Sequence, residues 1–137
     1  MIKLKTLIEA LYPAVSERPK DVPADVLAAW KEHDDTKLLI IRMLSAPSVT
    51  VAQRAMNKAE RLVRMTVNLH GKYMSKLPPD LKEYTLRNVT AARARLQKLS
   101  GMTFDDDNLS EASRHMDDLL WECHDTIDHI ARATEKK

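Results

Sequence analysis

Residues 50–71, TVAQRAMNKAERLVRMTVNLHG, carry the clearest structural signal in this chain. Small and apolar side chains recur in this stretch at intervals of three and four residues, which is the period of one face of an α-helix. Thr50 can cap the start of such a helix with Gln53 as its capping-box partner, and Gly71 suits the end of one. The stretch therefore predicts a long central helix over residues 50–70, about 30 Å in length.

The same residues allow a second interpretation, a helix-turn-helix unit over residues 50–66. Ala52 would then lie early in the first helix, Met56 and Asn57 in the turn, and Leu62 in the second helix. The second helix of such a unit enters the major groove of DNA, and here it would carry several basic side chains. The sequence leaves both interpretations open.

The composition is typical of a small helical protein. The chain has 137 residues, two of them glycine, and few aromatic residues, which predicts a single helical domain over residues 1–137. The one cysteine, Cys123, excludes an internal disulfide and fits a reducing compartment. The longest aliphatic run, residues 38–41, is far too short to cross a bilayer. We therefore expect a cytoplasmic protein with no membrane association.

Further helices are predicted on both sides of the central one. Helical periodicity or helix-start signals occur over residues 2–11, 23–33, 36–47, 80–100 and 109–134. Asp34 and Asp35 can cap a new helix between the second and third of these segments, or one helix can continue through them. Asn108 and Glu111 have the spacing of a capping box before the last segment. The fold class is therefore all-α, a bundle of five or six helices with a long central and a long C-terminal helix.

Charge is divided unevenly along the chain. Residues 54–98 contain eleven Lys or Arg against three Asp or Glu, whereas residues 105–129 contain nine acids against one Arg. Basic and acidic helices can neutralise each other inside one bundle. Alternatively, the basic helices leave a positive face that can bind nucleic acid or an acidic protein. The candidate residues for such a face are Arg54, Lys58, Arg61, Arg64, Arg87, Arg93, Arg95 and Lys98.

The C-terminal segment has an apolar seam with the spacing of a helix-packing stripe. Such a seam can pack in a core or against a second copy of the chain, and Trp residues are frequent in binding interfaces. We therefore expect self-association through this helix, with a candidate partner interface made of Met116, Leu120, Trp121, Ile127 and Ile130.

The histidine-containing segments hold the candidate catalytic and metal-binding residues. Near the C-terminus His124 and His129 do not share a helix face, and no second segment supplies a matching Glu-x-x-His, so we predict no metal site. Arg64 and His70, with Tyr73 beyond them, are similar to the Arg-x4-6-His element of HEPN-type helical ribonucleases. In that family the Arg and His act on RNA phosphate at a dimer cleft, so this ten-residue resemblance implies ribonuclease activity.

Three functional hypotheses follow from these patterns. The first is a non-enzymatic regulatory or adaptor protein that acts by protein–protein binding and self-association, with no cofactor and no catalytic residue. The second is a DNA-binding regulator that uses the helix-turn-helix unit. The third is the HEPN-like ribonuclease.

Overall fold

The computed structural model describes residues 21–135, which form four α-helices and one short 3₁₀ turn, with no strand in this part of the chain. The helices are α1 (Ala24–Ser45), α2 (Val49–Tyr73), α3 (Pro79–Ser100) and α4 (Leu109–Thr134), and the 3₁₀ turn (Met74–Lys76) lies between α2 and α3.

Successive helices run in opposite directions. The start of α1 meets the end of α2, where Asp25 Oδ1 and Oδ2 accept hydrogen bonds from Tyr73 and Lys72 at 2.8 and 2.9 Å. Arg95 near the end of α3 binds Glu122 in the middle of α4 at 2.7 Å. The result is an up-down-up-down four-helix bundle, an arrangement that short connections favour.

The predicted all-α bundle and its long C-terminal helix are confirmed, but the number of helices is not. The segments predicted at 23–33 and 36–47 are one helix, α1, so four helices span the described residues. Asp34 does not cap a new helix, because its carboxylate lies beside His33 and Lys37 of the same helix. The helix predicted over residues 2–11 lies outside the described residues.

The central helix α2 is continuous over 25 residues and therefore about 37 Å long. There is no turn at Met56 and Asn57, so the predicted helix-turn-helix unit is wrong. The side chain that caps α2 is Ser48, whose hydroxyl accepts a hydrogen bond from the Val51 amide at 3.1 Å. Gly71 does not end the helix, which continues to Tyr73, and its φ is not positive. A glycine permits a helix to end but does not require it to do so.

The capping box predicted before α4 is also wrong in its bonding. Asn108 is the N-cap residue, but its side chain makes no capping bond. Instead its side-chain NH₂ group donates a hydrogen bond to the Thr103 backbone carbonyl at 2.8 Å, and its side-chain oxygen accepts one from the Asp105 backbone amide at 2.9 Å. These bonds close the loop between α3 and α4, so the asparagine stabilises the loop rather than the first turn of the helix.

The core lies mainly between α1, α2 and α4. Helix α4 packs against the three other helices, whereas α1 and α3 lie diagonally opposite and hardly meet. Small side chains on α2 are completely buried and permit close approach of its neighbours, namely Ala52, Ala55 and Ala59. Helix α3 has the fewest buried side chains of the four: Thr85, Val89, Ala92 and Leu99. It packs closely on α4 and less closely on α2, which leaves a groove between α2 and α3.

Candidate functional site: the α2–α3 groove

The groove between α2 and α3 is open to solvent and has a volume of about 800 Å³. Residues 60–68 of α2 and 90–100 of α3 form its walls, so it is about 12–15 Å long. Val63, Val67 and Leu96 supply apolar surface at its base, and all three are buried or half-buried. The remaining lining residues are Glu60, Arg64, Asn68, Thr90, Arg93, Ala94, Gln97 and Ser100.

The charged side chains of the groove give it a net positive charge. Arg64 binds Glu60 one turn earlier on α2 at 3.2 Å, and both side chains are more than half exposed. An exposed pair of this kind stabilises a helix by only about 0.3–0.5 kcal/mol. Arg93, on the opposite wall, forms no ion pair with any other described residue. A ligand with carboxylates would therefore find one guanidinium unpaired and a second held only weakly.

The eight candidate basic residues do not form one free surface. Lys58 and Arg61 lie beside Glu32 of α1, at 3.3 and 3.7 Å. Arg95 lies 3.4 Å from Asp118 as well as 2.7 Å from Glu122, and Lys98 lies 3.6 Å from Glu111. Arg64 is paired to Glu60. Of the eight candidate residues, three make no ion pair within the described residues, namely Arg54, Arg87 and Arg93. Part of the positive charge of α2 and α3 is thus neutralised by ion pairs with the neighbouring helices α1 and α4.

The ion pairs between α3 and α4 show how this neutralisation works. The carboxylate of Glu122 is half-buried, and burial raises its pKa although Arg95 opposes the rise. Burying a carboxylate is costly unless a cation accompanies it. Arg95 is therefore a structural partner of α4, whereas Arg93, two residues away on α3, faces the groove.

The candidate partner interface lies inside the chain. Met116, Leu120, Ile127 and Ile130 are at most 1% exposed, because α1, α2 and α3 cover this seam of α4. Trp121 is half-buried and packs its ring against His124, with the ring centroids 5.7 Å apart. The seam therefore offers no surface for a second copy. Helical periodicity could not show this, because a core stripe and a dimer seam have the same spacing.

The two residues of the HEPN-like element are not brought together. Arg64 is exposed at the groove, whereas His70 is buried and lies 3.0 Å from the Thr85 hydroxyl of α3. Burial lowers the pKa of His70. Six residues along a helix place two side chains on different faces, so Arg64 and His70 of one chain do not face a common point.

Two further observations concern metal ligands and the cysteine in the described part of the chain. No three His, Cys, Asp or Glu side chains in residues 21–135 converge as metal ligands would. Cys123 is fully buried, and burial raises the pKa of its thiol to about 12, which makes it a poor nucleophile. A buried free cysteine of this kind packs in the core as a small apolar group.

A buried histidine pair between α1 and α4 was not predicted from the sequence. The imidazole rings of His33 and His124 stack with their centroids 5.0 Å apart, and both side chains are buried. The two residues are 91 positions apart, so only the packing of α1 on α4 reveals the pair.

Comparison with known proteins assigns no relationship to this chain. No family model matches it, and no curated protein and no solved structure matches it. Within residues 21–135, none of the helices combines the length and the apolar character needed to cross a membrane.

The sequence identified Arg64 and Arg93 but missed the rest of the groove. Val63, Val67 and Leu96 fit the inward stripes of α2 and α3, a spacing typical of side chains that a neighbouring helix covers completely. The distance between two packed helices depends on all side chains along their contact and is not encoded in one periodic pattern. The small number of apolar residues in α3 is the signal that could have indicated a loosely packed helix.

Proposed function

We propose that this chain is a non-enzymatic regulatory or adaptor protein that binds a partner protein in the α2–α3 groove. The observation that carries the proposal is the groove itself, in which apolar surface at the base combines with an exposed, unpaired guanidinium on one wall. Apolar clefts with a few polar groups are the usual form of a binding site. Self-association stays a prediction, but Met116, Leu120, Ile127 and Ile130 are covered within the chain and do not supply a contact surface for it.

The groove has the proportions of a site for a helix or a short peptide segment. Its length accommodates two to three turns of helix, and helix-in-groove binding is a common mode of recognition. The other exposed apolar side chains, such as Leu27, Leu38 and Leu86, are not part of the groove. Isolated exposed apolar residues are normal on protein surfaces and do not indicate a site.

The proposal can be tested by filling the groove. Partners are first identified by cross-linking in the native cell and mass spectrometry, and binding of the purified partner is then measured by calorimetry. Ala94 is exposed on the groove wall, so Ala94→Trp should obstruct the site without disturbing the core. We expect the affinity to fall at least about tenfold, which corresponds to about 1.4 kcal/mol.

The matched control is Ala28→Trp, which adds the same side chain at an exposed position of α1, away from the groove. This variant should bind like the unmodified chain. Equal affinity for the partner in both variants, or cross-links confined to α1, would show that the groove is not the binding surface.

A further inference from the structure

Resting on the proposed function, we infer that the partner segment is an amphipathic helix whose apolar face enters the groove and whose two flanks carry carboxylates. The carboxylates would meet Arg64 on the α2 wall and Arg93 on the α3 wall.

The base of the groove determines the apolar part of the partner. Val67 of α2 and Leu96 of α3 are half-buried and supply the apolar surface that is still open, whereas Val63, one turn before Val67, is nearly covered by the protein itself. Two apolar side chains one helical turn apart would lie against Val67 and Leu96 and cover their exposed parts. An extended segment presents alternate side chains on opposite faces and would leave more of this short surface uncovered.

The walls of the groove determine the charge of the partner. Arg64 and Arg93 stand on opposite walls, so a helix between them needs an acidic residue on each flank. Arg93 has no internal ion pair to break. A carboxylate at Arg64 must compete with Glu60, which lies 3.2 Å away on the same helix. Arg93 should therefore contribute more to the affinity than Arg64.

Two other possible occupants, single-stranded nucleic acid and the N-terminal segment of this chain, fit the groove less well. The groove contains no aromatic side chain on which bases could stack, and single-stranded nucleic acid binding relies on such stacking. Residues 1–20 of this chain contain Lys3, Lys5, Arg18 and Lys20 against Glu9 and Glu17, so their net charge has the same sign as that of the groove. An acidic helix is the occupant that the charges favour.

The test uses the full chain and three labelled peptides of about 14 residues, each about 21 Å long as a helix. The first has leucines along one face and glutamates on both flanks, the second has lysines in place of the glutamates, and the third is a scrambled version of the first. Binding is measured by fluorescence anisotropy. We expect the glutamate peptide to bind at least about tenfold more tightly than the lysine peptide, and its affinity to fall as salt screens the charges.

Variants then assign the charge preference to the groove. Arg93→Glu should weaken binding of the glutamate peptide at least tenfold and improve binding of the lysine peptide. Arg54→Glu is the matched control, because Arg54 is also an exposed arginine without an internal ion pair but lies outside the groove. Circular dichroism shows whether each variant keeps the helical content of the original chain.

The outcomes separate this inference from the proposed function. Equal binding of the glutamate and lysine peptides, both blocked by Ala94→Trp, would overturn the acidic-helix inference and leave the groove as a binding site. Binding of neither peptide would also overturn it, while the native partner still tests the groove. Displacement of the glutamate peptide by single-stranded RNA or by a peptide of residues 1–20, at equal concentrations, would assign the groove to one of those occupants instead.

Discussion

At the scale of single residues, the most unusual feature is the buried pair of His33 and His124. Burial lowers the pKa of both histidines, and the neighbouring His33 contributes to lowering that of His124 to about 4. Asp34 on α1 and Asp125 and Asp128 on α4 favour the charged imidazoles, whereas Lys37 on α1 disfavours them. His33 Nε2 has no hydrogen-bond partner among the described residues. The folded protein therefore favours the neutral form of the pair more strongly than the unfolded chain does.

This pair should make the folded protein sensitive to mild acid. In the unfolded chain a histidine binds its proton near pH 6.5, whereas in the folded chain His124 binds it only near pH 4. Between these values the unfolded state binds more protons, so the free energy of unfolding decreases as the pH falls. The decrease that His124 contributes is about 1.4 kcal/mol per pH unit between these two values. Urea denaturation followed by circular dichroism at pH 7.5, 6 and 5 would measure it.

Replacement of His124 by Phe gives a direct check. Phenylalanine cannot bind a proton and can still stack on His33 and contact the indole rings of Trp30 and Trp121. We expect the loss of stability between pH 7.5 and pH 5 to be clearly smaller in His124→Phe. Leu120→Ala, a substitution in the core of the same helix that removes no titratable group, should keep the original pH dependence. An unchanged acid response in His124→Phe would contradict this explanation.

At the scale of secondary structure, the start of α2 shows that a capping-box spacing in the sequence does not identify the residue that caps the helix. Thr50 and Gln53 have the spacing of a capping box, yet Ser48 supplies the cap. We predict that Ser48→Ala lowers the free energy of unfolding by about 1 kcal/mol, because the Val51 amide loses its hydrogen bond. Thr50→Ala, in the exposed first turn, should change it by less than about 0.5 kcal/mol. Chemical denaturation distinguishes the two, and a larger effect at Thr50 would show that the helix begins later.

The periodic pattern predicted the existence of the helices much better than their ends. The stripes of α2, α3 and α4 repeat over five or more turns, so a single irregular residue hardly changes them. An end depends on one or two hydrogen bonds, and several residues can compete to make them. Asp34, Gly71 and Asn108 are all common near helix ends, and all three have other roles here. Asp34 lies beside charged groups of its own helix, Asn108 bonds to the preceding loop, and Gly71 lies inside α2 two residues before its end.

At the scale of the whole molecule, the sequence predicted the fold class but only part of the candidate site. It identified Arg64 and Arg93 as basic residues on the two helices that form the groove. It could not show that Arg95 is paired with α4 while Arg93 is not, because the face of α3 that meets α4 is set by the packing of the bundle. It also could not show that α3 leaves Val67 and Leu96 partly uncovered. These features depend on how four helices pack together, and no single segment determines them.

Packing of the four helices also determines whether the apolar seam of α4 belongs to the core of one chain or to an interface between two copies. Leu120 is completely buried within the described chain, so Leu120→Ala should lower the free energy of unfolding by about 2–5 kcal/mol. Leu86→Ala, at a position that is 54% exposed on α3, should cost less than about 0.5 kcal/mol. Because the seam is internal, the molecular mass measured by sedimentation equilibrium should be the same before and after the Leu120 substitution. A seam between two copies would instead give a loss of mass and an unfolding midpoint that rises with protein concentration, since mass action stabilises an oligomer.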